Sequence, residues 1–181
     1  MWLLIIIVAL IALPVIIGFF MPVRYEGRTV VEYDRSVQQV WDTLQDVEAH
    51  PMTGRMMKSV ETLPGEGRPS WKEDMGRGEV ITVTTTAYEP PHHMIRQMSS
   101  ATVNMTSRWE YTLEPAGQGC RVTLSGVTDI EKGTWHTPIF RLMMVVGGGV
   151  KKGLDIQLTM VASTLGTEAR RSPGQPECPS P

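Results

Sequence analysis

The sequence predicts an α+β domain in which one curved, seven-stranded antiparallel sheet packs on a long C-terminal helix. Three observations carry this. The elements run strand, helix, six strands, long helix. The strand-like runs are joined by brief Pro/Gly turns such as "PGEGRPS", "GRG" and "PAGQG", which suit hairpins rather than βαβ units. After Pro51 and before Thr137, no segment is long and periodic enough to serve as a crossover helix.

In chain order, Trp2 to Phe20, "WLLIIIVALIALPVIIGFF", is an unbroken apolar run. About 20 apolar residues span a bilayer core, and Pro14 is compatible with a transmembrane helix. No side-chain charge precedes the run, and no small-residue cleavage site follows it, which favours an anchor over a cleaved signal peptide. Residues 1–23 therefore read as a transmembrane anchor. Arg24 and Arg28 follow it, so the positive-inside rule predicts a single-pass protein of the cell membrane with a cytoplasmic C-terminal domain.

Arg28–Asp34, "RTVVEYD", is β-branched and reads as the first strand. Ser36 then opens a helix, with Gln39 at the capping-box position. Val37, Val40, Trp41 and Leu44 form its apolar stripe, and it stops by Pro51. Six strand-like runs follow: Met56–Leu63, Trp71–Met75, Glu79–Glu89, His93–Ser100, Met105–Glu114 and Cys120–Ile130. In Met105–Leu113 the odd positions include Trp109, Tyr111 and Leu113, and the even ones Arg108 and Glu110. The odd face is covered and the even face is wet. Val122, Leu124 and Gly126 face the covered side in the next strand. In Glu79–Glu89, Ile81, Val83 and Ala87 alternate with threonines, and either face could be inward.

Thr137–Gly166 carries apolar residues at helical spacing, from Ile139 and Met143 to Leu158 and Leu165. This helix is the natural cover for the apolar face of the sheet. Gly147, Gly148, Gly149 and Gly153 interrupt it, and each glycine costs a helix interior up to about 1 kcal/mol relative to alanine. The gap they leave reads as cavity, close contact or hinge. Residues 167–181, rich in proline, read as a disordered tail.

Composition narrows the function. Lys+Arg is 17 and Asp+Glu is 19, a net charge of −2, which argues against a nucleic-acid binder. Cys120 and Cys178 are too few, and too differently placed, for a disulfide framework. His92 and His93 are adjacent, so on a strand they point to opposite faces and cannot form a ligand pair. With no metal-ligand spacing, no phosphate loop and no nucleophile elbow, neither a metal nor a cofactor is expected. Lys151 and Asp155 read as an ion pair on a wet helix face.

Three stretches carry a resemblance. "VVEYDRSVQQVWDTLQDVEAHP" resembles the opening strand and helix of the START-like helix-grip superfamily (SRPBCC). "WKEDMGRGEVITVTTTAYEPPHHMIRQM" resembles its central hairpin with the "E-P-P" turn. "SRWEYTLEPAGQGCRVTLS" resembles the hairpin after it, and "TPIFRLMMVV" the start of the closing helix. The likeness covers roughly Arg28 to Gly166, within a helix-grip domain set at 24–166. It departs from the pattern in lacking a Trp shortly after the first helix and in the glycines of the closing helix.

The resemblance is to the polyketide cyclase/dehydrase-like and lipid-transport branch. It implies a cavity between sheet and C-terminal helix that takes a hydrophobic small molecule or lipid, held beside a membrane by the anchor. The expected pocket residues are Met98, Met105, Trp109, Tyr111, Leu124, Met143, Gly147, Val150 and Leu154. Methionine, 12 residues in all, suits a cavity that must accept a flexible ligand. Two alternatives stand beside this. A cyclase- or dehydrase-type enzyme would draw on Tyr111, His93 and Arg96 for proton movement. A protein-interaction module would use the sheet edge or the tail.

Overall fold

A computed structural model describes residues 2–47, 57–64, 67–76, 78–100, 102–133 and 136–171, leaving aside the side chains of 3–11 and of 171. His50, Cys178 and the Pro-rich stretch from 172 onward lie outside the described residues.

The chain runs α1 (Trp2–Phe20), β1 (Arg24–Tyr33), α2 (Val37–Gln45), β2 (Ser59–Leu63), β3 (Ser70–Gly76), β4 (Glu79–Glu89), β5 (His93–Ser100), β6 (Met105–Ala116), β7 (Gly119–Ile130), α3 (Thr137–Val146), α4 (Gly149–Thr164) and β8 (Arg170–Arg171). Ser36 caps α2 in extended conformation, and its hydroxyl and the Gln39 side chain form the expected capping box. Val40, Trp41 and Leu44 are the buried stripe of that helix.

All strands pair antiparallel in the order β2-β3-β4-β5-β6-β7-β1-β8. Six are hairpin neighbours, and β1 joins the far side of β7, so the first strand of the domain sits beside the last long one. The short β8, two residues long, adds to β1. Register shifts at Asp74/Gly76 in β3 and Thr85/Ala87 in β4 mark bulges, which bend the strands and deepen the curve of the sheet. The bulge in β4 also explains its ambiguous alternation. Val83 and Thr85 are buried, whereas beyond the bulge it is Tyr88, opposite buried Met94, that lies on the helix-facing side.

The expected long helix is two helices. Gly147 caps the C-terminus of α3, and Gly148 and Gly149 have φ of 88° and 60°. Only glycine adopts this left-handed region cheaply, so consecutive glycines make the corner from which α4 departs. The core lies between α4, α2 and the inner face of β1, β7 and β6. Val31, Tyr33, Leu113, Val122, Leu124, Leu154 and Leu158 are its buried centre. Arg141 of α3 is buried too, with Nε and Nη2 both donating to the Ile130 carbonyl at 3.0 and 2.6 Å.

The apolar N-terminal run is helical, but among the described residues no helix is long and apolar enough to cross a membrane. The expected transmembrane anchor, and the single-pass membrane location drawn from it, are corrected accordingly. What hydropathy does not reveal is packing: the last turns of α1 lie on α3. There the Gly18 backbone approaches the Pro138 carbonyl too closely to admit a Cβ.

Candidate functional site

The inner face of the sheet is organised in cross-strand rows. One row runs Gly27, Gly126, Trp109, Arg96, Thr85 across β1, β7, β6, β5 and β4. The next runs Thr29, Leu124, Tyr111, Met94, Tyr88. Helix α4 covers the β1–β7 end, and α2 covers β6 and β7. The inward residues of β2 to β5 have less over them: Val60, Glu73, Ile81 and Met98 are only half-buried. Toward this less covered half the rows become polar.

Arg96 is the centre of that region. It is 5% exposed, with its Cζ 4.9 Å from the Trp71 ring centroid and 5.3 Å from that of Tyr111. A guanidinium stacks on aromatic faces because their quadrupoles are negative there. Nη2 donates to the Leu44 carbonyl at the end of α2, at 2.7 Å. Burial lowers the Arg96 pKa, while Tyr111 and Glu73 oppose that shift. Burial likewise raises the Tyr111 phenol, with Arg96 pulling the other way. Contact between the two groups thus favours the guanidinium cation that arginine ordinarily carries, against the burial that opposes it.

Two buried polar atoms here lack a hydrogen-bond partner among the described residues, Arg96 Nε and Gln45 Oε1, whereas the unpartnered Trp109 Nε1 lies on the edge of its ring that faces Gly126 and Gly153 under α4. Gln45 Nε2 meets the Met94 sulfur, at 3.3 Å. Buried polar groups are normally paired, so orphans gathered in one place point to an occupant. Among the described residues no carboxylate is ion-paired with Arg96. Glu73 acts on it from a distance, its Oε1 being taken by the Trp71 indole N–H at 2.8 Å.

A cleft of about 210 Å³ opens between the end of α2 and β2–β3, lined by Gln45, Asp46, Val47, Thr62, Pro69, Ser70 and Trp71. Two of its walls, Gln45 and Trp71, are the residues that flank Arg96. A larger trough of about 580 Å³ lies on the opposite, solvent face, where Glu26, Val127, Arg108, Gln97 and Thr84 form a cross-strand row. Most of its charges are already paired: Arg24 grips Asp129, and Arg108 holds Glu110 beside it. It holds none of the orphaned atoms, and the Arg96 region is the better candidate.

The expected pocket residues fall in four places. Trp109 and Tyr111 are neighbours of Arg96 on the inner face, Trp109 only partly buried. Met98 sits beside them opposite Ser107, and Met105 packs at the edge of the core. Leu124, Val150 and Leu154 are packed core residues. Met143 is 62% exposed on α3, and Gly147 is exposed at the corner after it. Of the acid–base candidates, Arg96 and Tyr111 come together, whereas His93 bonds Glu110 at 3.0 Å on the sheet's other side. Asp155 accepts a hydrogen bond from Thr29 at 2.8 Å, tying α4 to β1. Sequence reasoning missed Gln45, Trp71 and Glu73. The available signal was an arginine between Met94 and Met98, an i±2 pattern that puts all three side chains on one face.

A curved antiparallel sheet closed over helices, with a polar recess on its inner face, defines a helix-grip protein. The chain belongs to the polyketide cyclase/dehydrase and lipid transport family, whose model matches residues 25–166. Among solved structures it resembles the Zhui aromatase/cyclase from Streptomyces sp. R1128, at 16% identity and a TM-score of 0.62, over 79% of this chain and 94% of that one. Norcoclaurine synthase from Thalictrum flavum matches at 11% identity and 0.58, over 84% and 92%. DynU16, from the dynemicin biosynthetic locus, matches at 15% and 0.51 over 81% of this chain, which spans about half (49%) of that longer protein. At these identities the likeness is one of fold. Among curated protein sequences none matches.

Proposed function

We propose that the chain binds a hydrophobic small molecule or lipid between the inner face of the sheet and its helices. The observation that carries this reading is the cleft at Gln45 and Trp71, which leads toward the less covered half of that face. Trp71, Met98, Trp109 and Tyr111 would supply apolar wall, and a few fixed polar groups would orient the ligand, the usual make-up of a small-molecule site. Met105 and the core residues Leu124, Val150 and Leu154 would back that wall, with Met143 and Gly147 at the outer end of the helix pair. Membership of a cyclase, dehydrase and lipid-transport family supports the same ligand class. Native mass spectrometry of the full chain, purified without delipidation, tests it. Bound apolar mass, or uptake of an apolar fluorescent probe, is expected. A homogeneous empty chain that takes up no probe would overturn the reading.

A second reading, catalysis, is favoured by one observation: Arg96 lies beside the Tyr111 ring, a cation next to a phenol that keeps its proton. Such a pair could polarise a carbonyl and deliver a proton to it. Two of the named structural neighbours, an aromatase/cyclase and a synthase, are enzymes. Here Tyr111→Phe would abolish turnover of a reactive ligand while leaving its binding intact. Under pure binding it would change neither.

A further inference from the structure

The geometry points to a ligand with a carboxylate end: an apolar molecule whose carboxylate enters past Gln45 and Trp71 and takes the open edge of the Arg96 guanidinium. This rests on the binding function proposed above and names the chemistry of its ligand.

The charge is the first reason. Arg96 is 5% exposed and its carbonyl partner, Leu44, carries no charge. A buried cation without a bonded anion is costly, and proteins pair such charges. Glu73, whose charge acts on Arg96, accepts from Trp71 Nε1 and is not in ion-pair contact with it. Shape is the second. Arg96 sits in the strand order between Trp71 of β3 and Tyr111 of β6, with a ring of each against it. With both rings close to Cζ, the edge of the guanidinium at Nε–H is left unpartnered, and an acceptor can come in there. A planar carboxylate fits an edge approach and pairs with arginine in that plane. Gln45 is the third. Its side-chain amide has one end unpartnered and the other on a sulfur, and it turns over at little cost. Turned, it presents N–H to the second carboxylate oxygen. The cleft of about 210 Å³, walled by Gln45, Asp46 and Trp71 and stopping short of Arg96, is the way in for the head group, and the half-buried residues of β2 to β5 would receive the apolar chain.

The test compares dodecanoate with dodecanol on the full chain by isothermal titration calorimetry at pH 8. Dodecanoate is expected to bind roughly 10- to 100-fold more tightly, the factor a charge-assisted hydrogen bond supplies. In Arg96→Lys the preference should fall to within a few-fold of unity while dodecanol binding is retained. Thr62→Trp fills the exposed wall of the cleft without touching Arg96, and should abolish dodecanoate binding. If Arg96→Lys does not fold, the wild-type ratio and Thr62→Trp decide. Equal binding of the two probes overturns the carboxylate assignment and leaves the binding function standing. Binding of neither overturns both. Dodecanoate binding unaffected by Thr62→Trp puts the ligand elsewhere and overturns this site.

Discussion

Gly27 on β1 and Gly126 on β7 face each other across the sheet, directly beneath the first turn of α4. A Cβ on Gly27 would stand 2.7 Å from the Lys151 backbone nitrogen, and one on Gly126 2.9 Å from Val150 Cγ1. The two missing side chains are what let the helix settle on the sheet. The same row then steps up through Trp109, which reaches to within 4.0 Å of a Cβ at Gly153, to Arg96. Close contact at one end of the row thus leads to the polar recess at the other.

Gly126→Ala should cost about 1–3 kcal/mol, the usual range for overpacking a tight contact. Its neighbours Val150, Leu154 and Trp109 are side chains that can shift. Gly27→Ala meets backbone of α4, which cannot turn away, and should cost more than Gly126→Ala. Urea unfolding of both variants checks the order. The reverse order would mean that α4 is free to lift.

Two arginines make a controlled comparison. Arg24 forks onto Asp129 at 2.8 and 3.0 Å, but its side chain is 63% exposed. Arg141 is 2% exposed and forks onto a backbone carbonyl. Water screens the first pair and replaces its bonds, so Arg24→Ala should leave the unfolding midpoint nearly unchanged. Arg141→Ala removes buried volume and two charge-assisted bonds, and should cost about 2–4 kcal/mol. Geometry alone would rank the two alike. Burial separates them, and denaturant melts of both variants read the difference.

The sheet was largely legible because its rules are local. Trp109, Tyr111 and Leu113 alternate with Arg108, Glu110 and Thr112, and the structure puts the first set inward. The capping box at Ser36 and Gln39 is a four-residue pattern and needs no tertiary information. The site was not legible in the same way. Arg96 stands next to Ile95, so its strand alone does not say which side is buried. The pairing with Trp109 decides it. Gln45 and Trp71 meet at one cleft only after β2 and β3 have folded back beneath the end of α2. The N-terminal run shows the limit of hydropathy: it measures how apolar a helix is, not what that helix lies against.

The glycine corner makes a prediction of its own. Gly148 sits at φ 88°, and a Cβ there would meet only the Lys152 side chain, which can move. Space is not the constraint. Conformation is, and Gly148→Ala should cost about 1–2 kcal/mol through the left-handed backbone alone. Gly147, at φ −77°, carries no such strain, although its Cβ would press on the Met143 carbonyl at 2.7 Å. Gly147→Leu also bears on the pocket. Reduced probe uptake in a folded variant would bring the outer end of the helix pair into the binding site, and unchanged uptake would confine the site to the β2–β5 half.

Cys120 ties stability to pH. Its side chain is fully buried, and that burial pushes the thiol pKa up to about 11, from an ordinary value of 9.0. Below pH 9 both folded and unfolded chains keep the proton, and the thiol's contribution does not vary. Between 9 and 11 only the folded chain keeps it, so stability falls as pH rises, by up to roughly 2–3 kcal/mol, and the loss levels off above 11. Tyr33, raised by its own burial, acts with the same sign at still higher pH. Urea midpoints of the wild type should therefore drop from pH 8.5 to 10.5, and the drop should shrink in Cys120→Ala. In a Cys178→Ser chain, where Cys120 is the sole thiol, alkylation at pH 8 should be slow until denaturant is added. Fast alkylation of the folded chain would show that β7 opens at its start and would remove the basis for the pH dependence.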